Sequence, residues 1–146
     1  MKNNILKFIV LVLIALVIFF VIRIFVTEDY EFKLINFEEY TEKSEASGIN
    51  IIYVSGGDYI KEEFDNVLLK IFSSSKENLY KLDVTDTVIL DKLLSNQKFI
   101  EYFESNDRNV VLPILVIYKD GTIIGMIEYS PEEQIIENLK SLEVSV

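Results

Sequence analysis

The strongest constraint on the fold is an apolar run, ILKFIVLVLIALVIFFVIRIFV, which extends from Ile5 to Val26. Only Lys7 and Arg23 interrupt it, and both lie near its ends, where long side chains can reach the membrane interface. At ~1.5 Å rise per residue, a helix of this length spans ~33 Å, about the hydrocarbon thickness of a bilayer. The run therefore predicts a transmembrane anchor, in contact with lipid over residues 5–26.

A secretory signal peptide, cleaved near Val26 and Thr27, is the alternative interpretation of this run. Signal peptides have a shorter apolar core, which ends at small residues that the signal peptidase recognises. The run in this chain is longer, and no such small-residue site follows it. These two features favour an uncleaved, single-pass anchor.

The charges beside the run predict its orientation. Lys2 and Lys7 precede its centre, whereas Glu28, Asp29 and Glu31 follow it. Positively charged flanks stay on the cytoplasmic side of a membrane. We therefore expect the N-terminus in the cytoplasm and an extracytoplasmic C-terminal domain at the cell membrane.

The chain divides into a stub with anchor, residues 1–27, and one acidic domain, residues 28–146. All 24 acidic side chains lie after residue 26, together with 11 of the 14 basic ones, so this segment has a formal net charge of −13. Such a surface repels phosphate backbones, so we expect no nucleic-acid partner. Ordinary solvation of the surface explains the acidity without any basic partner.

The residue inventory excludes several classes of enzyme. The chain has no Cys and no His, so it lacks thiol chemistry, the usual general base near neutral pH and the usual zinc ligands. Asp83, Asp86 and Asp91 lack the spacing of a calcium-binding loop. We therefore expect no catalytic residue, no cofactor and no bound metal.

After the anchor, strand-like and helical segments alternate. Helical spacing predicts helices after Asn36, after Asp58, over Thr85 to Ser105 in two pieces joined near Ser95 and Asn96, and after Ser130. Strands are predicted at Tyr30 to Ile35, Ile49 to Val54, Leu79 to Val84, Val110 to Tyr118 and Thr122 to Tyr129. The order β-α-β-α-β-α-β-β-α predicts an α/β fold, a mixed sheet with helices on both faces.

Local signals refine this outline. Asn36 and Glu39 have the spacing of a capping box, and Asp58 and Ser130 are predicted to cap two later helices. The pair Asp120-Gly121 is typical of a tight hairpin turn, so the last two strands should be antiparallel.

The segment from Val111 to Gly121, VLPILVIYKDG, resembles the cis-proline strand and hairpin of the thioredoxin superfamily. With the order of elements, the resemblance covers residues 30–143. It implies a thioredoxin-like mixed sheet preceded by one N-terminal transmembrane helix. In layout the chain is similar to membrane-anchored thioredoxin-like proteins of Gram-positive bacteria, including bacteriocin transport accessory proteins.

The same resemblance indicates what this chain has lost. Members of the superfamily carry a Cys-x-x-Cys pair at the start of the helix after the central strand. When Ile51 to Val54 is aligned with that strand, the pair falls on Asp58 and Lys61. Neither position has a sulfur, so the resemblance implies a domain without thiol–disulfide oxidoreductase activity.

The resemblance also implies a groove that receives an extended polypeptide by strand addition, which requires no thiol. Tyr59 would serve as an apolar anchor, and Asp58 or Lys61 as charge selectors. In the alternative interpretation, Pro113 only shapes the fold and Asp58 only caps a helix. The residues predicted to form this groove are Gly56, Gly57, Asp58, Tyr59, Lys61, Leu112, Pro113 and Ile114.

The sequence thus predicts a non-catalytic interaction subunit, tethered to the membrane, that docks onto a membrane protein complex or an exported polypeptide. An accessory chaperone for secreted peptides is the alternative, and an enzyme using carboxylates or Tyr is a weaker one. The partner, the oligomeric state and the pathway are not specified by the sequence.

Overall fold

A computed structural model describes residues 11–18, 30–56, 60–75 and 77–146. Residues 11–18 are helical (α1), and their side chains are exposed. The other residues of the predicted anchor, 5–10 and 19–26, lie outside the described residues. Within the described ranges, no helix is both long and apolar enough to cross a membrane.

The described part of residues 30–146 contains five strands and five helices in the predicted order. The strands are β1 (Lys33–Ile35), β2 (Ile49–Ser55), β3 (Leu79–Asp83), β4 (Ile114–Lys119) and β5 (Thr122–Glu128). The helices are α2 (Phe37–Glu45), α3 (Lys61–Phe72), α4 (Thr87–Leu94), α5 (Gln97–Ser105) and α6 (Glu132–Ser141). The predicted break between two helices near Ser95 and Asn96 is confirmed.

The strands form one mixed sheet in the order β1-β3-β2-β4-β5. The strands β1, β3 and β2 are parallel, whereas β4 is antiparallel to both β2 and β5. The predicted hairpin is confirmed, since Asp120 and Gly121 have positive φ angles of 51° and 79° between β4 and β5. The mixed sheet and its antiparallel C-terminal pair agree with the sequence prediction.

Helices cover both faces of the sheet, so the central strand β2 is buried on both sides. Ile52 and Val54 face a core that includes Tyr40 of α2, while Ile51 and Tyr53 face a second core that includes Phe64 of α3. Successive side chains of a strand point to opposite faces, which explains why the run INIIYV is almost continuously apolar. The helices α2, α4 and α5 cover the first core, and α3 and α6 the second.

One of the predicted helix caps differs from the structure. The helix α3 begins at Lys61 with Ile60 at its N-cap position, and α6 begins at Glu132 with Pro131 there. Ser130 is therefore not the cap of α6, and Asp58, the predicted cap of the preceding helix α3, lies outside the described residues. The capping box of α2 is confirmed, because Asn36 and Glu39 exchange both of its hydrogen bonds.

Candidate functional site

The candidate site lies at one end of the sheet, where β2 and β3 end and β4 begins. Val54 pairs with Ile114 in the antiparallel register of β2 and β4. This register places Gly56, just beyond β2, beside the residues that precede β4. The peptide bond between Leu112 and Pro113 is cis. Four of the predicted groove residues thus meet here: Gly56, Leu112, Pro113 and Ile114.

Gly56 allows the two segments to approach closely. A Cβ atom at this position would lie 2.7 Å from Cγ2 of Val84 and 3.2 Å from Cδ1 of Leu112. The first distance is shorter than carbon atoms tolerate, and Val84 is almost fully buried. Glycine is therefore required here by contact rather than by a positive φ angle.

The remaining predicted groove residues divide into two groups. Lys61 is the first residue of α3, and its Nζ atom lies 3.2 Å from the Asp83 carboxylate at the end of β3. Its ammonium group is thus paired within the domain. Gly57, Asp58 and Tyr59 lie outside the described residues, so their predicted roles stay predictions.

The main chain of Leu112 is available for pairing. The Leu112 side chain is half-buried and packs against the core under α2, α4 and α5. Its backbone N–H and C=O make no hydrogen bond with any described residue, whereas the ladder of β4 begins only at Ile114. A partner strand that supplies hydrogen bonds to such main-chain groups is bound more favourably for that reason.

Exposed apolar side chains lie at this same end of the sheet. Val110 and Val111 precede Leu112 and are 36% and 46% exposed. Val88 lies in the first turn of α4, just after the end of β3, and is 58% exposed. Tyr129 follows β5 at the same end of the sheet and is 40% exposed, with its ring 5.7 Å from that of Phe64. We call Val88, Val110, Val111 and Tyr129 the apolar strip.

The charges next to the strip are mostly negative. Partial burial alone raises the pKa of Asp83, but hydrogen bonds from Thr85 and the contact with Lys61 outweigh it and lower the pKa below its usual value. Asp86 caps α4 by accepting a hydrogen bond from the Val88 N–H at 2.8 Å. The Asp83 carboxylate, whose pKa is lowered, therefore stays ionised near neutral pH.

A buried ion pair lies between α3 and the sheet, below this end. The Lys81 ammonium group is 2.6 Å from an Asp65 oxygen and lies over the rings of Phe32 and Tyr53, at 4.6 Å and 5.2 Å from their centroids. Burial and the neighbouring Asp65 raise the pKa of Tyr53, so its phenol stays neutral. This cluster holds α3 against β3 and β2, and it offers no activated nucleophile.

The described groups at this end are suited to non-covalent contact. The sequence has neither thiol nor imidazole. Within the part of the chain that the structure describes, no three carboxylates lie together as a metal site would require. The described residues present main-chain groups without a partner among them, exposed apolar side chains and carboxylates. Groups of these kinds make contacts with polypeptides in general.

No protein-family model matches the chain, and no curated protein matches it. Solved structures do. Thioredoxin from Trypanosoma brucei brucei is 11% identical with a TM-score of 0.56, over 80% of this chain and 94% of that one. The chain has a thioredoxin-like fold. Thioredoxin of Malassezia sympodialis is similar with a TM-score of 0.53 at 14% identity, over 76% of this chain and 90% of that one. Oxidised mitochondrial thioredoxin 3 from Saccharomyces cerevisiae is similar with a TM-score of 0.51 at 16% identity, over 75% of this chain and 94% of that one. At these identities the likeness shows the fold alone.

The apolar strip is not predicted by the sequence. Its four residues come from the first turn of α4, the segment before β4 and the segment after β5, which only the sheet topology brings to one end. The available signal was local: Val88, Val110 and Tyr129 are large apolar residues at the ends of predicted elements, where polar residues are usual. That signal does not show that the ends meet.

Proposed function

We propose that this chain is a redox-inactive, thioredoxin-like interaction subunit. In this proposal, residues 5–26 tether it to the membrane and the domain lies outside the cell membrane. The groove around Gly56, Leu112 and Pro113 docks onto a membrane protein complex or an exported polypeptide. It acts by contact, without a cofactor and without catalysis.

One observation carries the proposal: in a thioredoxin-like fold without any cysteine, the main chain of Leu112 has no hydrogen-bond partner among the described residues, and exposed apolar side chains lie at the same end of the sheet. Single exposed apolar side chains are normal on a protein surface, whereas several of them at one end of a sheet, together with such main-chain groups, suit the binding of a peptide. The predicted anchor supplies the tether, since its length matches the bilayer.

Two substitutions at one position test the groove. Leu112→Pro removes the backbone N–H, and Leu112→Ala keeps it while removing most of the same side chain. We expect Leu112→Pro to weaken partner capture by about 1–3 kcal/mol, or roughly 5- to 140-fold, because it leaves a hydrogen-bonding group of the partner unpaired. Leu112→Ala should capture the partner more strongly than Leu112→Pro.

The measurement is co-purification of the full chain from mild detergent. Both variants must first have the same far-ultraviolet circular dichroism as the parent chain. If the partner is captured equally by Leu112→Pro and the parent chain, the groove is not the docking site. That result would refute this part of the proposal.

An accessory chaperone for secreted peptides is the second candidate, favoured by the exposed apolar strip, which suits transient clients. The same co-purification separates the candidates. A membrane protein recovered in stoichiometric amount supports the interaction subunit, whereas exported polypeptides that dissociate during washing support the chaperone. A catalytic activity of the chain purified alone would refute both.

A further inference from the structure

Both outer members of the apolar strip have a carboxylate next to them. Asp86 accepts a hydrogen bond from the N–H of Val88, and its carboxylate is exposed. Glu128 directly precedes Tyr129, is exposed, and pairs in register with Ile114 at the start of β4. Val88 and Tyr129 thus each have an exposed carboxylate as a near neighbour.

Few cations compensate this charge. Neither Asp86 nor Glu128 forms an ion pair with a described residue. Of the described cations, Lys61 is paired with Asp83, and Arg108 lines a shallow cavity with Glu128 and Tyr129 without forming an ion pair. The net charge of −13 over residues 27–146 adds a long-range potential of the same sign.

We propose that the groove selects an extended polypeptide segment that alternates apolar and basic side chains. An extended segment alternates its side chains between two faces, so its apolar side chains can contact the strip while its basic ones face Asp86 and Glu128. Electrostatic complementarity at the rim of a site gives selectivity and faster association. This inference rests on the proposed function of the same groove.

Synthetic peptides of about eight residues, long enough to cover ~26 Å when extended, test it. One alternates Val with Lys, one Val with Ser and one Val with Glu. Their binding to the full chain in non-ionic detergent is measured by fluorescence anisotropy at about 0.05 M and 0.5 M salt, which changes screening several-fold. We expect the Val/Lys peptide to bind most tightly and the Val/Glu peptide most weakly, with a smaller difference at high salt.

A matched pair of double variants separates the local carboxylates from the overall charge. Asp86→Asn with Glu128→Gln removes two negative charges at the groove, and Asn keeps the capping ability of Asp86. Glu42→Gln with Glu101→Gln removes two at the other end of the domain, where Glu101 lies beside Gly121. At low salt the first pair should weaken Val/Lys binding by about 2- to 30-fold, and the second by less than about twofold.

The outcomes distinguish the two proposals. Equal binding of the Val/Lys and Val/Glu peptides, or equal effects of the two double variants, overturns the charge selectivity but leaves the groove. If no peptide binds, or if Leu112→Pro does not weaken the Val/Lys peptide, the groove itself fails. A third outcome is that the chain binds no peptide but associates with itself, and that Leu112→Pro abolishes this association. That outcome would assign the surface to a second copy of the chain and would also overturn the inference.

Discussion

Gly56→Ala is the substitution whose effect the structure defines most closely. The added Cβ atom would lie 2.7 Å from Cγ2 of Val84, a distance that requires one of the two atoms to move. Val84 is 3% exposed and β-branched, so its side chain has little freedom to rotate away. Overpacking at such a position costs about 1–3 kcal/mol.

The opposing effect is smaller. Replacing Gly by Ala restricts the unfolded chain and thereby stabilises a protein by about 0.4–1 kcal/mol where the backbone permits it. The balance predicts that Gly56→Ala lowers the free energy of unfolding by about 1–2 kcal/mol. The second neighbour, Cδ1 of Leu112 at 3.2 Å, is half-buried and can move by a few tenths of an ångström.

A double-mutant cycle isolates this contact. Val84→Ala removes the methyl group that the new Cβ meets, and costs about 2 kcal/mol by itself through lost burial. In the Val84→Ala variant, Gly56→Ala should lower the free energy of unfolding only slightly. The two substitutions would then have a coupling free energy of about 1–3 kcal/mol. Gly125→Ala is a comparison, because its Cβ would meet the two methyl carbons and Cγ of Leu142, a flexible, half-buried side chain that can move.

The assay is urea unfolding of the full chain in non-ionic detergent, followed by far-ultraviolet circular dichroism and tyrosine fluorescence, since the chain has 8 Tyr and no Trp. Gly56→Ala should shift the midpoint to lower urea with an unchanged slope. Two results would refute the reasoning: a Gly56→Ala chain as stable as the parent, or strictly additive effects of Gly56→Ala and Val84→Ala.

Four further predictions concern the two cores and the N-terminal cap of α2. The hydroxyl groups of Tyr40 and Tyr118 lie 2.6 Å apart and share a buried hydrogen bond. Changing either residue to Phe should lower the free energy of unfolding in urea by about 1–3 kcal/mol, and changing both should lower it by less than the sum of the two single effects. Burial raises the pKa of Tyr40 to about 12 and also raises the pKa of Tyr118, whereas both ionise near pH ~10 in the unfolded chain. The stability that these two neutral phenols contribute should therefore be fully present below pH ~10 and be lost as the pH rises from ~10 to ~12. Unfolding of the double Phe variant, followed by circular dichroism, should not show this loss. Asp65→Ala leaves Lys81 buried without its carboxylate and should cost about 3 kcal/mol, more than Lys81→Met, in the same unfolding assay. Asn36→Ala removes one side of the capping box and should cost about 1 kcal/mol, and an unchanged midpoint would contradict this assignment.

The parts of the fold that sequence predicted correctly are those set by short-range signals. The Asn36–Glu39 spacing, the Asp120-Gly121 turn and the break near Ser95 each act over a few residues, so the sequence contains them directly. The continuous apolar run of β2 likewise predicted a strand buried on both faces.

Long-range contacts explain the errors and omissions. The alternating segment Leu79 to Val84 has the pattern of a strand with one polar face, yet Lys81 is only 8% exposed, because α3 supplies Asp65 and covers that face. Ser130 is predicted to cap the last helix, but α6 begins at Glu132 with Pro131 at its N-cap position.

Of the candidate site, sequence and family resemblance together located the segments but not their contacts. The closeness of Gly56 and Leu112 depends on the pairing of β2 with β4, whose partners lie about 60 residues apart in the sequence. The apolar strip combines residues from the first turn of α4, the segment before β4 and the segment after β5. Neither arises from a local pattern.

Photo-crosslinking tests the central claim most directly. A photoreactive amino acid is placed at Val111, in the apolar strip, and in a second variant at Thr122, which is exposed at the opposite end of the sheet. In membranes of cells that express the full chain, the Val111 variant should crosslink to a membrane protein or an exported polypeptide, and the Thr122 variant should not. Crosslinks from Thr122 with none from Val111 would contradict the account, because docking would then occur away from the groove.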